Sequence, residues 1–452
     1  MQRDLTTGPI TGNLLRFALP LMVGNLLQQL YNVCDTWVVG RFLGPEALAA
    51  VGSSYALMVF LTSIFLGLCM GSGAAFSIQY GRRDEDRLKS SMVISFILIA
   101  LVTFLLNAAV FLGLDDIIRL LQVSGAVAPL MHDYLWIIFW GMAATFLYNY
   151  FANLLRAVGN SVTPLLFLAV SAVLNIVLDL VFVLVFAWGI KGAAIATVIA
   201  QFAAGLGIMA YALLCFPELK VSRRHLRWDS HIAKDIASLS FLTCLQQSVM
   251  NFGILMVQGL VNSFGTVIMA AFAAAVKIDS FAYMPVQDFG NAFATYVAQN
   301  HGAGKGERIQ QGIKSAFVTV FIFCLIISLG VCVLARPLME IFVQPTETAI
   351  IAAGVHYLRI EASCYLGIGI LFLLYGFYRA VNKPAMSVVL TVISLGTRVA
   401  LAYALSAIPA IGVTGIWAAV PIGWVLADVT GILYYRKYRR KLLGSAVLPA
   451  RA

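Results

Sequence analysis

Apolar runs of twenty or more residues recur along the whole chain, separated by short clusters of glycine, proline and charge. A run of that length crosses the hydrocarbon layer of a membrane as a helix. A transmembrane barrel would instead show alternation over about ten residues, a pattern absent here. The runs predict twelve spans, near 14–39, 47–79, 90–112, 127–152, 162–186, 191–215, 236–261, 268–299, 311–334, 349–377, 385–406 and 413–434. Turn-rich breaks separate them: Gly44-Pro45, Gly81-Arg-Arg-Asp-Glu-Asp-Arg87, Gly159-Asn160, Gly302-Ala-Gly-Lys-Gly306 and Asn382-Lys-Pro384. The first run starts near Leu14 and is long enough to span, so it reads as a helix and not as a cleavable leader.

Composition agrees. The 452 residues are 61% hydrophobic and 11% charged, with mean hydropathy +0.92, whereas a soluble domain carries about a quarter charged residues. The net charge of +10 points to topology and not to nucleic acid. With the N-terminus inside, the inner side receives 23 of the 30 Lys and Arg, and the outer side four: Arg41, Arg119, Lys191 and Arg336. Lys277, Arg359 and Arg398 lie in or near spans. That asymmetry predicts that both termini are cytoplasmic. The seven cysteines are scattered and form no CxxC pair, so they read as small core residues, with neither a disulfide framework nor a metal site. No cofactor is expected.

The chain is written twice. Residues 41–90 shifted by 221 fall on 262–311 without a gap: Gly44 meets Gly265, Ala49 meets Ala270, Phe60 meets Phe281, Gly81 meets Gly302 and Arg87 meets Arg308. Farther on the shift is 223, pairing Tyr134-Leu135 with Tyr357-Leu358, Arg156-Ala-Val158 with Arg379-Ala-Val381, and Gly189 with Gly412. Six spans is an even number, so the copies share one orientation, as parallel repeats. The expected fold is an all-α membrane protein of twelve transmembrane helices in two parallel six-helix repeats around a central cavity. Residues 1–216 form an N-lobe, 217–235 a cytoplasmic linker, 236–440 a C-lobe and 441–452 a cytoplasmic tail. Such a duplication suggests a transporter working by alternating access.

Two acids stand out against this background. Asp179 lies in Ala172-Val-Leu-Asn175-Ile-Val-Leu-Asp179-Leu-Val-Phe-Val-Leu-Val-Phe186, and Asp35 lies in the first apolar run. A carboxylate there costs several kcal/mol unless it is paired, protonated or facing a wet cavity. Asn175 and Asp179 are four apart and share a helix face. Asp179 lies about seven residues, ~10 Å, from the outer end of its span. Asp35 and Thr197 lie at similar depth. Two carboxylates, an amide oxygen and a hydroxyl suit Na⁺, a hard cation, which makes Asp35, Asn175, Asp179 and Thr197 candidate metal ligands. The same acids suit proton exchange. Packing hydrogen bonds are the plainer alternative. The counterpart positions in the second copy are Met256, Arg398, Ala402 and Val420, which carry no acid. Pro20 lies mid-span in the first helix, where it either shapes the helix or acts as a hinge. Gln28, Tyr31 and Asn32 in the first span, and Asn149 and Asn153 four apart in the fourth, are candidate substrate contacts or interhelical glue.

Leu30-Tyr-Asn-Val-Cys-Asp35-Thr-Trp-Val-Val-Gly40 resembles the first-helix signature of MATE (multidrug and toxic compound extrusion) transporters. Leu154-Leu-Arg-Ala-Val-Gly159, Leu174-Asn-Ile-Val-Leu-Asp179, Gly189-Ile-Lys-Gly-Ala-Ala-Ile-Ala-Thr197 and Gly412-Val-Thr-Gly-Ile-Trp417 match in order. The resemblance covers nearly the whole chain. It implies an antiporter of the bacterial inner membrane, in which inward flow of H⁺ or Na⁺ drives export of organic, often cationic and aromatic, compounds. It also implies that Asp35, Asn175, Asp179 and Thr197 form an N-lobe cation site, and that Pro20 is the bending proline.

Some branches of the family place acids in the seventh and tenth helices. Here the seventh span offers only Gln246, Gln247 and Asn251, and the tenth only Glu361, so the chain looks like the bacterial branch with its site in the N-lobe. Depth counting puts Lys277, Glu361 and Arg398 at one level, where they are expected to neutralise one another. Asp288, in Met284-Pro-Val-Gln-Asp288-Phe-Gly290 beside an expected helix irregularity at Pro285, is a further candidate substrate or proton contact. The expected partners are small organic molecules and membrane lipids, and the expected state is a monomer. Two other readings compete. A lipid-linked oligosaccharide flippase would want basic residues lining its cavity to hold pyrophosphate, and few lie within these spans. A membrane-embedded enzyme or receptor finds no HExxH, GxSxG or Walker loop in a span.

Overall fold

The computed structural model describes residues 4–120 and 127–443. Most of the expected tail, 441–452, lies outside the described residues. Among them are fourteen α-helices and no strand: α1 (Ile10–Phe42), α2 (Pro45–Arg82), α3 (Glu85–Leu120), α4 (Ala128–Trp140), α5 (Met142–Ala157), α6 (Val162–Leu180), α7 (Gly189–Cys215), α8 (Ser230–Asn262), α9 (Thr266–Gly302), α10 (Gly306–Glu340), α11 (Thr348–Ala362), α12 (Tyr365–Ala380), α13 (Pro384–Ser406) and α14 (Val413–Leu443). Ten helices are long and apolar enough to cross a membrane. The pairs α4–α5 and α11–α12 pass the same test as single spans bent by 43° and 51°. Counting each pair once, the described residues supply the twelve spans.

The two bent spans differ from the continuous helices expected at 127–152 and 349–377. In the first, Gly141 takes the break. A Cβ there would run into the Gln201 side chain, and the Gly141 N–H turns to the Ile138 carbonyl at 2.8 Å, a three-residue step. In the second, the break falls at Ser363 and Cys364, the latter 223 residues after Gly141. At Pro285 the chain stays helical, since α9 runs through it, as α1 runs through Pro20. Proline removes one hydrogen bond, and a helix can continue when packing holds it.

The repeat extends to the backbone. Both α1 and α8 have 33 residues, and both α5 and α12 have 16. Gly44 and Gly265 share a positive φ, 89° and 94°, directly before α2 and α9. That left-handed region is open to glycine at little cost.

The chain forms two compact units, and their boundary departs from the expected lobes. Leu19–Cys244 belong to the first unit; Leu5–Ala18 and the chain from Leu245 onward belong to the second. The 217–235 segment and the first half of α8 therefore go with the first unit. Gly67 and Gly71 of α2 explain why: a Cβ on either would come within 2.5 Å of the Cα of Cys244 or Ser240. Small residues four apart let helix backbones approach closely, and the Ser72 and Ser240 hydroxyls hydrogen-bond at 2.9 Å. The linker is tied to the same unit by Arg224 and His225, 2.7 and 3.0 Å from Asp86, and by Arg87, 3.1 Å from Asp235. In the second unit the N-terminal segment is held alike. Asn300 Nδ2 donates to the Leu5 carbonyl at 3.1 Å, Lys305 to that of Thr6 at 2.8 Å, and Arg308 to that of Gly8 at 3.2 Å.

Candidate functional site

Asp35 on α1, Asn175 and Asp179 on α6 and Thr197 on α7 meet inside the first unit, with exposures of 9%, 0%, 0% and 5%. The i, i+4 spacing on α6 puts Asn175 and Asp179 on one buried face. The Asp35 and Asp179 carboxyls lie within hydrogen-bonding reach of each other. Two carboxyls share a hydrogen bond only with a proton between them; otherwise a cation must offset their repulsion. One oxygen of each, Asp35 Oδ1 and Asp179 Oδ1, is sealed from solvent and accepts no hydrogen bond.

Asn175 links the acid to the hydroxyl. With its amide turned so that both ends are satisfied, Nδ2 donates to Asp179 Oδ2 at 3.0 Å and the oxygen accepts from Thr197 Oγ1 at 3.2 Å. The oxygen also lies 3.2 Å from the Thr197 backbone N–H, so every polar end of the amide is used. The Thr197 hydroxyl also lies 3.1 Å from the Ala193 carbonyl. Directly beyond Asp179 and Leu180, residues Val181–Val185 form a π turn, in which Phe186 N–H reaches the Val181 carbonyl at 3.0 Å. Such wide turns recur at functional sites, where they re-aim neighbouring side chains.

The proposed substrate contacts divide. Tyr31, half-buried, lies beside Thr197 and both acids. Gln28 is exposed and Asn32 half-buried, both on α1. Asn149 and Asn153 on α5 each give an amide N–H to the carbonyl one turn before, of Thr145 at 2.9 Å and of Asn149 at 2.8 Å. Asp288 is buried on α9, in the second unit. Pro20 follows the Ala18–Leu19 step at which α1 passes from one unit to the other.

Sequence reasoning missed two features. Tyr134 on α4 faces Asp35, Asp179 and Tyr31. Its signal was present, since Tyr134 and Tyr357 recur in register, yet they served only as landmarks of the repeat. The second unit also has a buried acid pair, Asp279 and Glu361, at positions unrelated to Asp35 and Asp179. Glu361 lies in the neighbourhood of Asp279, Tyr357 and Arg398, while Lys277, expected as a partner at that level, is exposed. Among the described residues no three His, Cys, Asp or Glu converge as a metal centre would require.

Residues 20–181 and 239–404 match the family described as MatE, once in each half of the chain. The chain is 30% identical to a probable multidrug resistance protein, YpnP, of Bacillus subtilis (strain 168), over 97% of this chain and 98% of that one. It is 28% identical to a second such protein of that organism, YoeA, over 93% and 92%. Its fold matches a crystal structure of MATE in complex with MaL6 with a TM-score of 0.90, at 23% identity, over 97% of this chain and 98% of the other. Duplicated sequence, twelve spans and these matches together place the chain in the MatE family, as a multi-pass transporter of the bacterial cell membrane and not an enzyme.

Proposed function

We propose that this chain exports organic compounds, cationic or aromatic, in exchange for H⁺ or Na⁺, by alternating access, and that the coupling ion binds at Asp35, Asn175, Asp179 and Thr197. The observation that carries this reading is the sealed contact between the Asp35 and Asp179 carboxyls. Two like unit charges about 4 Å apart repel by about 4 kcal/mol at an effective dielectric near 20. An ion that arrives or leaves therefore changes the energy of this helix contact by an amount able to shift a conformational equilibrium about a thousandfold. Relatives named as probable multidrug resistance proteins support the export of drugs, and the basic residues that favour one side support cytoplasmic termini.

The geometry favours H⁺ as the ion. Carboxyls within hydrogen-bonding reach, with an amide 3.0 Å from one of them, suit a proton without rearrangement. The orphaned Asp35 Oδ1 and Asp179 Oδ1 favour the second reading, since Na⁺ takes hard oxygen ligands and could draw on both once the side chains part. Pro20 lies where α1 changes unit, a natural flexing point for a helix that carries Asp35. The test is ethidium efflux from proteoliposomes under an imposed pH gradient or an imposed Na⁺ gradient, one at a time. The gradient that drives efflux identifies the ion. If neither does, the exporter reading fails. If Asp179→Asn transports as well as the parent, the site assignment fails while the family stands.

A further inference from the structure

We propose that the end of α14 holds an anionic phospholipid, its acyl chain along the exposed face of the helix and its phosphate on Arg436, Lys437, Arg440 and Lys441. This surface belongs to the second unit and does not rest on the ion site of the first.

Ile422, Val425, Val429 and Leu433 are exposed on α14, three or four residues apart. Arg436 and Arg440 continue the same spacing and are exposed as well. Steps of three and four keep all six on one face of a helix. The apolar part, from Ile422 to Leu433, is about 16 Å long at ~1.5 Å per residue, close to half of the ~30 Å hydrocarbon layer. The basic part begins three residues later, where an acyl chain lying on the stripe meets its headgroup. Lys437 and Lys441, also exposed, flank the arginines.

The opposite side of this helix end is covered by protein. The Tyr378 hydroxyl on α12 donates to the Gly431 carbonyl at 2.6 Å. Phe377 and Tyr378 meet Tyr435 and Tyr434 edge-on. Arg439 donates to Gln310 on α10 at 2.5 Å, and Leu442 and Leu443 are buried. These contacts fix α14 to its own unit through its last turn and leave the basic stripe facing outward.

Charge selects the occupant. From Val429 to residue 452 the sequence contains no acid. Among the described residues none of the four basic side chains is in a salt bridge. The counterpart positions in the first copy, 223 earlier, are Leu213, Leu214, Pro217 and Glu218. The repeat therefore folds without bases there, and the stripe answers to something outside the fold. A second copy of the chain, docked symmetrically on this face, would set like charges against each other. An anionic phospholipid supplies both halves of the match, an apolar chain and a negative phosphate at the depth of the bases.

The experiment labels the face directly. The full chain is placed in nanodiscs of phosphatidylcholine doped with phosphatidylglycerol that carries a photoactivatable acyl chain, and labelled peptides are mapped by mass spectrometry. Labelling of the Ile422–Leu433 segment is expected to exceed that by photoactivatable phosphatidylcholine about tenfold. Arg436→Gln, Lys437→Gln, Arg440→Gln and Lys441→Gln together are expected to remove the excess and to leave labelling elsewhere unchanged. Thermal melting checks that the variant is folded. If it is not, Arg436→Gln with Arg440→Gln must lower the excess. The proposal is overturned if the two lipids label the segment equally in the parent, if the substitutions leave the excess in place, or if cross-links between two copies of the chain take the place of lipid labelling.

Discussion

The two units each bury a pair of acids, and they finish the pairing differently. In the first, Asp35 and Asp179 are surrounded by neutral groups: an amide, a threonine hydroxyl and the Tyr31 and Tyr134 phenols. In the second, Asp279 and Glu361 face Arg398. Residue 398 is the counterpart of Asn175, 223 positions later. Where one repeat has a neutral amide, the other has a tethered cation. A site closed by neutral dipoles must take its positive charge from solution and so can couple to an ion gradient. A site with a built-in guanidinium needs less. The sequence repeats one scaffold, and the two copies carry their acids at different positions of it.

The sharpest way to break this contrast is to remove one acid from each pair. Asp179→Asn is expected to lower gradient-driven ethidium efflux at least tenfold, to the background of empty liposomes, while Glu361→Gln keeps a measurable rate. Equal loss in both would mean that the two pairs do the same work. Next in size is stability. Arg398→Asn strands two acids without a counter-charge and is expected to cost about 3–5 kcal/mol, whereas Asn175→Ala removes neutral hydrogen bonds and is expected to cost about 1–2 kcal/mol; thermal melting in detergent measures both. A reversed order would show that Arg398 is not the counter-ion.

Smaller effects refine the picture. Tyr365→Phe takes one charge-assisted hydrogen bond from Asp279 and is expected to cost about 1.5 kcal/mol, again by melting, with efflux changed less than twofold. Pro20→Ala restores a backbone hydrogen bond where α1 passes between units. It is expected to leave melting unchanged or slightly raised and to slow efflux a few-fold. An unaltered rate would mean that the crossing in α1 needs no proline, as that of α8 at Cys244–Leu245 has none.

Much of this was legible in the sequence because the hydrocarbon layer is a severe constraint. A polar backbone must close its hydrogen bonds within each span, so length and hydropathy alone predicted the twelve spans, and the doubled motifs predicted the repeat. The same severity exposed Asp35 and Asp179, since a charge in an apolar run stands out, and helical period put Asn175 and Asp179 on one face. Other features depended on neighbours distant in sequence. Gly141 marks a break because Gln201 fills the space beside it, which no local pattern announces. Asp279 and Glu361 come from helices of different register and meet only through packing. The grouping of the first half of α8 with the first unit rests on the close approach at Gly67 and Gly71. Sequence by itself determined which segments enter the membrane, how they repeat and which acids are costly there. Tertiary structure decided which acids share an environment and what completes it, because burial and pairing belong to the contact between helices and not to any helix alone.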